Sequence, residues 1–365
     1  MNIVMLDNSN ISYDGFTSLS RPLGGAQKAF ASLAGALTKF GNRVTVLNNC
    51  KHALMADGAR WRPIGQDIPQ DVDLVIALKD PNLFKLVPRA DSRVLWVVDD
   101  PRYLGTTENA TVLSSYAPRL MFLTDRQAGE YKGRLSSVVV SPGVNKSFIK
   151  SGQPPGTITD PNHSLDTLGE LNEEADDKIE VPSPTALVTT NPKNGLINLL
   201  KIWKNNIQPQ KPDAKLKVFS NILFRSLNSG DYPSSISDLV DYYLTCNECN
   251  IEVVSPKGDR EMSKEYQNSR VHLYQSNKLD LACWTLRDSQ ASKLPAISTS
   301  LGGVDDIIVN NKTGYIVPDE DALVNICIKI LSEDTFYTSL KSGFDDTESE
   351  LSWEKTAEIV SQIWL

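Results

Sequence analysis

Two aspartates eight positions apart, Asp280 and Asp288, stand in the part of this sequence best furnished for chemistry, residues 271–317. A helix beginning near Leu286 places Asp288 close to its N-terminal end. A carboxylate there can accept two sugar hydroxyls at once, as acidic residues do for a ribose. The amides of the same helix start, at Leu286 and Arg287, favour an anion such as a diphosphate. A surface carboxylate pair that merely complements the helix dipole explains the same placement, and on spacing alone that simpler account prevails. A second candidate is Leu23-Gly24-Gly25-Ala26-Gln27, just ahead of a long helical pattern. Glycines at a helix start let a ligand approach the backbone, and the unpaired amides attract an anion. A tight turn accounts for these glycines equally well.

Other chemistries fit less well. A dinucleotide fold needs GxGxxG and an acidic residue closing the second strand; here the loop reads Gly-Gly-Ala-Gln and the strand ends in Asn48-Asn49, which disfavours an NAD enzyme. Cys246 and Cys249 have CxxC spacing, but no second pair or histidine cluster completes a zinc site. The adjacent pairs Asp99-Asp100 and Asp305-Asp306 read as loop carboxylates rather than a metal motif on a strand end. His52, His163 and His272 offer no evident catalytic base.

The elements that position these residues are legible from hydrophobic pattern. Short apolar runs at 2–6, 43–47, 74–78, 93–98, 120–123 and 138–140 are too short for helices and rich in branched residues. Ala26, Ala29, Phe30, Leu33, Leu37 and Phe40 form a helical stripe that Gly41 stops. This is one α/β domain with a parallel sheet covered on both faces. The logic repeats with strands at 186–189, 215–219, 251–254, 271–274, 296–299 and 315–317, and helical patterns at 196–203, 322–331 and 352–365. The expected organisation is an N-terminal domain over 1–148, an acidic, proline-bearing linker or insertion over 149–184, and a second domain over 185–351. The helix 352–365 packs back on the first domain. Two doubly wound, Rossmann-like domains face a cleft, and ligands bind such sheets at the carboxyl ends of the strands.

Bulk composition narrows the class. The chain has 365 residues, a net charge of -8 and 22% charged residues, which suits two soluble domains and disfavours a nucleic-acid-coating surface. An odd count of five thinly spread cysteines does not read as a secreted disulfide framework. With no basic leader and no apolar run of about 20 residues, the expectation is a cytoplasmic protein; attachment at a membrane surface is compatible with it.

The order of motifs resembles glycosyltransferase family 4, the retaining "glycosyl transferases group 1" type of GT-B architecture. Its two glutamates separated by seven residues, followed by "EAQAxGxPV", a strand and "GGxxE", are matched by Asp280, by Asp288-Ser289-Gln290-Ala291, by Leu294-Pro295-Ala296, and by Gly302-Gly303 with Asp306. Gly314 matches the last turn. Gly24-Gly25-Ala26-Gln27 resembles the N-terminal glycine loop, Ser141-Pro142-Gly143-Val144-Asn145 the "PNGVD" closing the first domain, Asn191-Pro192-Lys193-Asn194-Gly195-Leu196 the opening of the second, and Ser352-Trp353-Glu354 the final helix. The likeness spans nearly the whole chain outside the acidic stretch.

That resemblance implies transfer of a sugar from an NDP-sugar to a glycan, lipid-linked or other acceptor; with no DxD motif placed on a strand end, neither a metal nor a cofactor is expected. Asp288 would hold the ribose and Asp280 the transferred sugar. The amides at Gly24-Gly25 and Gly302-Gly303, with Leu286 and Arg287, would lie near the donor, and Lys193 would offset leaving-group charge. The departures are specific. Both glutamates are aspartates, Thr189 stands where an arginine is usual, and only Lys193 remains of the "KG" element; Arg225, Lys257 or Arg287 are the available replacements. Val98 replaces the histidine of "WxHD", leaving Asp99 and Asp100 as acceptor-side candidates. A nucleotide-sugar-binding protein without transferase activity, and a sugar-nucleotide epimerase, remain alternatives.

Overall fold

The computed structural model describes residues 1–69, 72–149, 181–189, 191–344 and 352–364. The acidic stretch read as a linker lies, from 150 to 180, outside them.

The first domain is an eight-stranded sheet of β1 (Asn2–Leu6), β2 (Arg43–Asn48), β3 (Leu54–Ala56), β4 (Ala59–Pro63), β5 (Leu74–Leu78), β6 (Ser92–Trp96), β7 (Arg119–Phe122) and β8 (Ser137–Val139), in the order β3-β4-β2-β1-β5-β6-β7-β8. β1 is flanked in parallel by β2 and β5, with Ile3 opposite both Val44 and Leu74. Successive residues feed opposite faces, the two-residue period of a strand. Ile3, Met5, Leu74, Ile76, Val94 and Trp96 join one apolar cluster, while Val4, Leu6, Val75, Ala77 and Leu95 join another. A sheet buried on both sides explains why these runs are apolar throughout rather than alternating. Its helices are α1 (Thr17–Ser20), α2 (Gly25–Thr38), α3 (Thr107–Tyr116), α4 (Asp125–Glu130) and α5 (Lys146–Ile149).

The hairpin β3–β4 is absent from the expectations above. Its turn is Asp57-Gly58, with φ of 47° and 78°, and Ala56 pairs Ala59 antiparallel. Two consecutive positive φ values are what a tight hairpin turn requires and what Asp-Gly supplies.

The second domain is a six-stranded parallel sheet, β11-β10-β9-β12-β13-β14, of β9 (Thr185–Val188), β10 (Lys215–Phe219), β11 (Ile251–Val254), β12 (Val271–Leu273), β13 (Ala296–Ser298) and β14 (Gly314–Ile316). Its helices are α6 (Leu196–Ile202), α7 (Asn221–Ser229), α8 (Ser237–Leu244), α9 (Asp259–Gln267), α10 (Trp284–Ala291), α11 (Glu320–Ser332) and α12 (Asp334–Lys341). Cys246 and Cys249 are free, buried in this domain's core. The expected α/β architecture of two doubly wound domains is what the chain adopts.

The domains are docked along a shared seam. Phe148 and Ile149 pack with Leu187, Phe219, Tyr266 and Leu294 of the second domain. Ala282 and Trp284 pack on the apolar cluster that contains Phe30 and Trp96 of the first. Helix α13 (Trp353–Trp364) lies on α2 and gives Trp353, Ala357 and Val360 to that same cluster. Glu354 anchors it by accepting from Lys39, the residue that caps the end of α2, and pairing with Lys146 of α5.

Candidate functional site

Helix α10 begins at Trp284, two residues earlier than expected, because Cys283 adopts a left-handed conformation with φ of 45° and ends the preceding loop. Asp288 therefore sits in the second turn rather than at the helix start, and the dipole contributes little to it. Its counter-charge comes instead from across the seam. Lys28, on α2, donates to the Asp288 carboxylate and, at 3.3 Å, to Oδ1 of Asp259 at the start of α9. The lysine ammonium also lies 4.8 Å from the centre of the Phe148 ring.

All three charges are nearly removed from water, with side-chain exposures of 11%, 9% and 8% for Lys28, Asp259 and Asp288. Burial opposes the Lys28 charge, but the two carboxylates outweigh it and raise its pKa. For Asp288 burial dominates; together with repulsion from Asp259 it exceeds the pull of Lys28, so the carboxyl is raised to about 6. The second oxygen of Asp259 is buried with no hydrogen-bond partner, a costly arrangement for a carboxylate. One cation thus serves two carboxylates of the opposite domain.

The glycine loop meets the same seam. A Cβ on Gly25 would fall 2.2 Å from Cγ of Trp284, so only glycine lets α2 and α10 come this close. Gly24 caps α2 without a side-chain bond. Among the described residues no acceptor is bonded to the amides of Gly25, Ala26 or Gln27.

Asp280 serves its own loop: its carboxylate accepts from the Tyr274 hydroxyl and the Cys283 amide. Gly302, with φ of 64°, and Gly303 press against that loop, and the Gly303 amide donates to the Asp280 carbonyl. These two glycines thereby hold the loop that carries Asp280. Leu286 is fully buried among Tyr274, Cys283 and Val304. Arg287 donates from Nε to the Ala282 carbonyl, and burial lowers its pKa. Lys193 is exposed on the 191–195 turn, where its amide donates to Asn191.

Of the possible replacements for the missing arginine, Lys257 is bound to Glu265, which Lys217 also pairs, and Arg225 faces solvent on α7. Thr189, at the end of β9, bonds His272 and Thr285 rather than facing open solvent. On the first domain Asp99 pairs with Lys79 at 2.8 Å, and Asp100 caps a 3-10 turn through the Arg102 amide. Gln127 donates to the Asp99 carbonyl while its neighbour Arg126 pairs with Asp305 across the seam. That ties the Asp99 loop to the Gly302-Gly303 side of the second domain. A cavity of about 290 Å³ opens beside Asp99 within the first domain, lined by Lys79, Asp80, Pro81, Asp99, Tyr103 and Asn109. Among the described residues no three His, Cys, Asp or Glu side chains group to hold a metal ion, and no helix is long and apolar enough to cross a membrane.

The structure therefore brings Asp288 and the Gly25 loop to one seam, sets Asp280 one loop away, and leaves Lys193, Asp99 and Asp100 at its margins. Sequence reasoning missed Lys28, Asp259 and Trp284. A signal for the first existed: Lys28 is the sole charged residue in the helix GAQKAFASLAGALT.

Known proteins resemble this chain in sequence over part of its length and in fold over all of it. Residues 172–343, just under half of the chain, match the family model described as Glycosyl transferases group 1. The whole chain aligns with sucrose-phosphate synthase from Thermosynechococcus elongatus at 14% identity and a TM-score of 0.67, covering 98% of that protein. It aligns over its full length with Anabaena HepE in complex with UDP-glucose at 11% identity and a TM-score of 0.67, covering 99% of that chain. WaaG, a glycosyltransferase involved in lipopolysaccharide biosynthesis, aligns over the whole chain at 13% identity and a TM-score of 0.64, covering 99% of that chain. The fold is the GT-B architecture of these glycosyltransferases. The sequence matches no curated protein.

Proposed function

We propose that this chain is a retaining glycosyltransferase of family 4 that moves a hexosyl group from an NDP-sugar to a glycan or lipid-linked acceptor, without a metal. The observation that carries the reading is the coincidence of the group 1 family match with a carboxylate, Asp288, set on α10 at the seam of a GT-B fold. Asp288 takes the ribose hydroxyls once Lys28 yields it, and the free first-turn amides of α2 face the same seam and favour a diphosphate. The bond from the anomeric carbon to the diphosphate breaks. The acceptor oxygen bonds the same carbon from the same face, and its proton passes to the departing phosphate. Positive charge from Lys193 and Arg287 eases that departure. Asp99 and Asp100 border the acceptor, which variable loops of the first domain select.

A second reading rests on a specific observation as well. Lys28 already occupies Asp288, Trp284 fills the space over Gly25, and Thr189 replaces a cation. These contacts favour a protein that binds a nucleotide sugar without turning it over. Calorimetric titration with UDP, GDP and ADP, with and without magnesium, separates the possibilities. Micromolar binding of one nucleotide that Asp288→Asn abolishes, followed by transfer that Asp280→Asn slows, supports the enzyme. Binding without turnover on any acceptor supports the second reading, and product formed with no acceptor present points to an epimerase. No binding of any nucleotide sinks all three.

A further inference from the structure

A single ammonium at the seam stands between two carboxylates. Lys28 donates to Asp288 and, at 3.3 Å, to Oδ1 of Asp259, and these two aspartates belong to different helices of the second domain. Because they share one partner, their nearest oxygens lie within about 6 Å of each other, the sum of two charge-assisted hydrogen bonds. The arrangement is still one donor short. Oδ2 of Asp259 is buried with no hydrogen-bond partner, and the residue is only 6% exposed. It keeps an acceptor that no group among the described residues fills.

The surroundings sharpen that deficit. The rings of Phe148 and Tyr266, with centroids 5.8 Å apart, wall the seam beside the ammonium, and in apolar surroundings an unmade hydrogen bond is costly. Asp259 is also held in place. It opens α9 directly after Gly258, and a Cβ on that glycine would fall 2.7 Å from the Leu19 carbonyl oxygen of the first domain. The backbone that carries Asp259 is therefore pressed against α1. A vicinal diol supplies what the ammonium supplies, two donors on a small frame. With each hydroxyl reaching about 2.6 Å to its carboxylate, the pair spans the same gap. A phosphate cannot take this place, because both carboxylates repel it.

We propose that Asp259 is a second donor-binding residue that shares the ribose with Asp288, each carboxylate accepting one of the two adjacent hydroxyls. Lys28 holds their place in the ligand-free protein. A single bidentate carboxylate would read the diol as one edge; two carboxylates on separate helices test each hydroxyl by itself. The site therefore selects a ribonucleotide over either deoxy form, since a site built to bond a hydroxyl rejects the analogue that lacks it. This assignment rests on the donor-site reading above.

UDP, GDP and ADP are titrated into wild type by calorimetry, followed by the 2′-deoxy and 3′-deoxy forms of the one that binds. Each deoxy form should bind wild type about 10- to 100-fold more weakly, the loss of one hydrogen bond to a charged group. Asp259→Asn and Asp259→Ala are then compared through the same ratios, from which any effect on the competing Lys28 cancels. One of the two preferences should fall to about fivefold or less in the asparagine variant, whose amide oxygen still accepts a neutral bond, and to within twofold in the alanine variant. The other preference should persist in both. Wild type indifferent to either hydroxyl, both preferences intact in the variants, or both lost together overturns the shared ribose while leaving the donor site standing. Failure of UDP, GDP and ADP alike to bind wild type removes the donor-site reading and this assignment with it.

Discussion

Replacing Lys28 by methionine keeps the length of the side chain and removes the cation that Asp259 and Asp288 share. If the seam stayed shut, two carboxylates would face one another without a counter-charge, and losing one partner of a buried ion pair costs about 3–5 kcal/mol. Separation of the domains caps that cost, because both carboxylates then reach water. The variant should therefore be more open in small-angle scattering while each domain keeps its fold. Ligand binding gives the sharper number. In the wild type a ribose must displace Lys28 from Asp288, surrendering a charge-assisted hydrogen bond worth about 1.5–3 kcal/mol. Removing the competitor should tighten nucleotide binding by about 10- to 100-fold, measured by calorimetry at pH 7.5. Binding weaker than wild type would refute the reasoning, because it would make Lys28 a contact of the ligand rather than its rival.

Gly25→Ala should push Trp284 away, since its Cβ would fall 2.2 Å from the indole. A cost of about 1–3 kcal/mol should fall on domain docking, so scattering should show opening with little change in melting temperature; an unchanged radius of gyration would contradict the contact. Asp288 is raised from 3.8 to about 6, so between those values the folded protein keeps a proton that the unfolded chain has lost. Its contribution to stability therefore falls as pH rises through that window. Urea unfolding should show wild type losing stability relative to Asp288→Asn from pH 4 to 6.5, and a constant difference would count against the shift. Glu354 behaves oppositely: its partial burial is overcome by hydrogen bonds from Lys146 and Lys39, which bring it down to about 2. Glu354→Gln should cost about 0.5–1 kcal/mol at pH 7, a deficit that shrinks as pH falls from about 4.5 toward 2, followed by the fluorescence of Trp353 and Trp364.

The strands were legible because a sheet buried on both faces leaves no polar alternation to confuse the reading. LVIAL at 74–78 and KLKVF at 215–219 became strands over those same residues. The hairpin at 54–63 escaped because ARWRP carries two arginines and little apolar signal, although Asp57-Gly58 was the clue. Asp288 stood out through the resemblance of its segment to a family motif, yet its partners did not. Lys28 and Asp259 lie 260 and 29 positions away from it, and a salt bridge between domains leaves no periodic trace. Pattern also misplaced the start of α10, where a left-handed Cys283 does what a glycine usually does. The contacts of His272 with Ser289 and Thr189 were equally hidden, since a buried histidine in a strand looks like any other core residue until its two neighbours are known.

The seating of α13 on α2 has a consequence for how this protein must be made. The apolar cluster around Phe30 and Trp96 is completed by Trp353, Ala357 and Val360, which leave the ribosome about 200 residues after Ile149. At about 5–20 residues per second, the first domain waits roughly 10–40 s with one side of its core uncovered. Its neighbour is synthesised during that interval and can fold without it. Vectorial synthesis thus runs against the order in which this cluster closes, and the α2 surface is where a nascent chain would need shelter from its own aggregation.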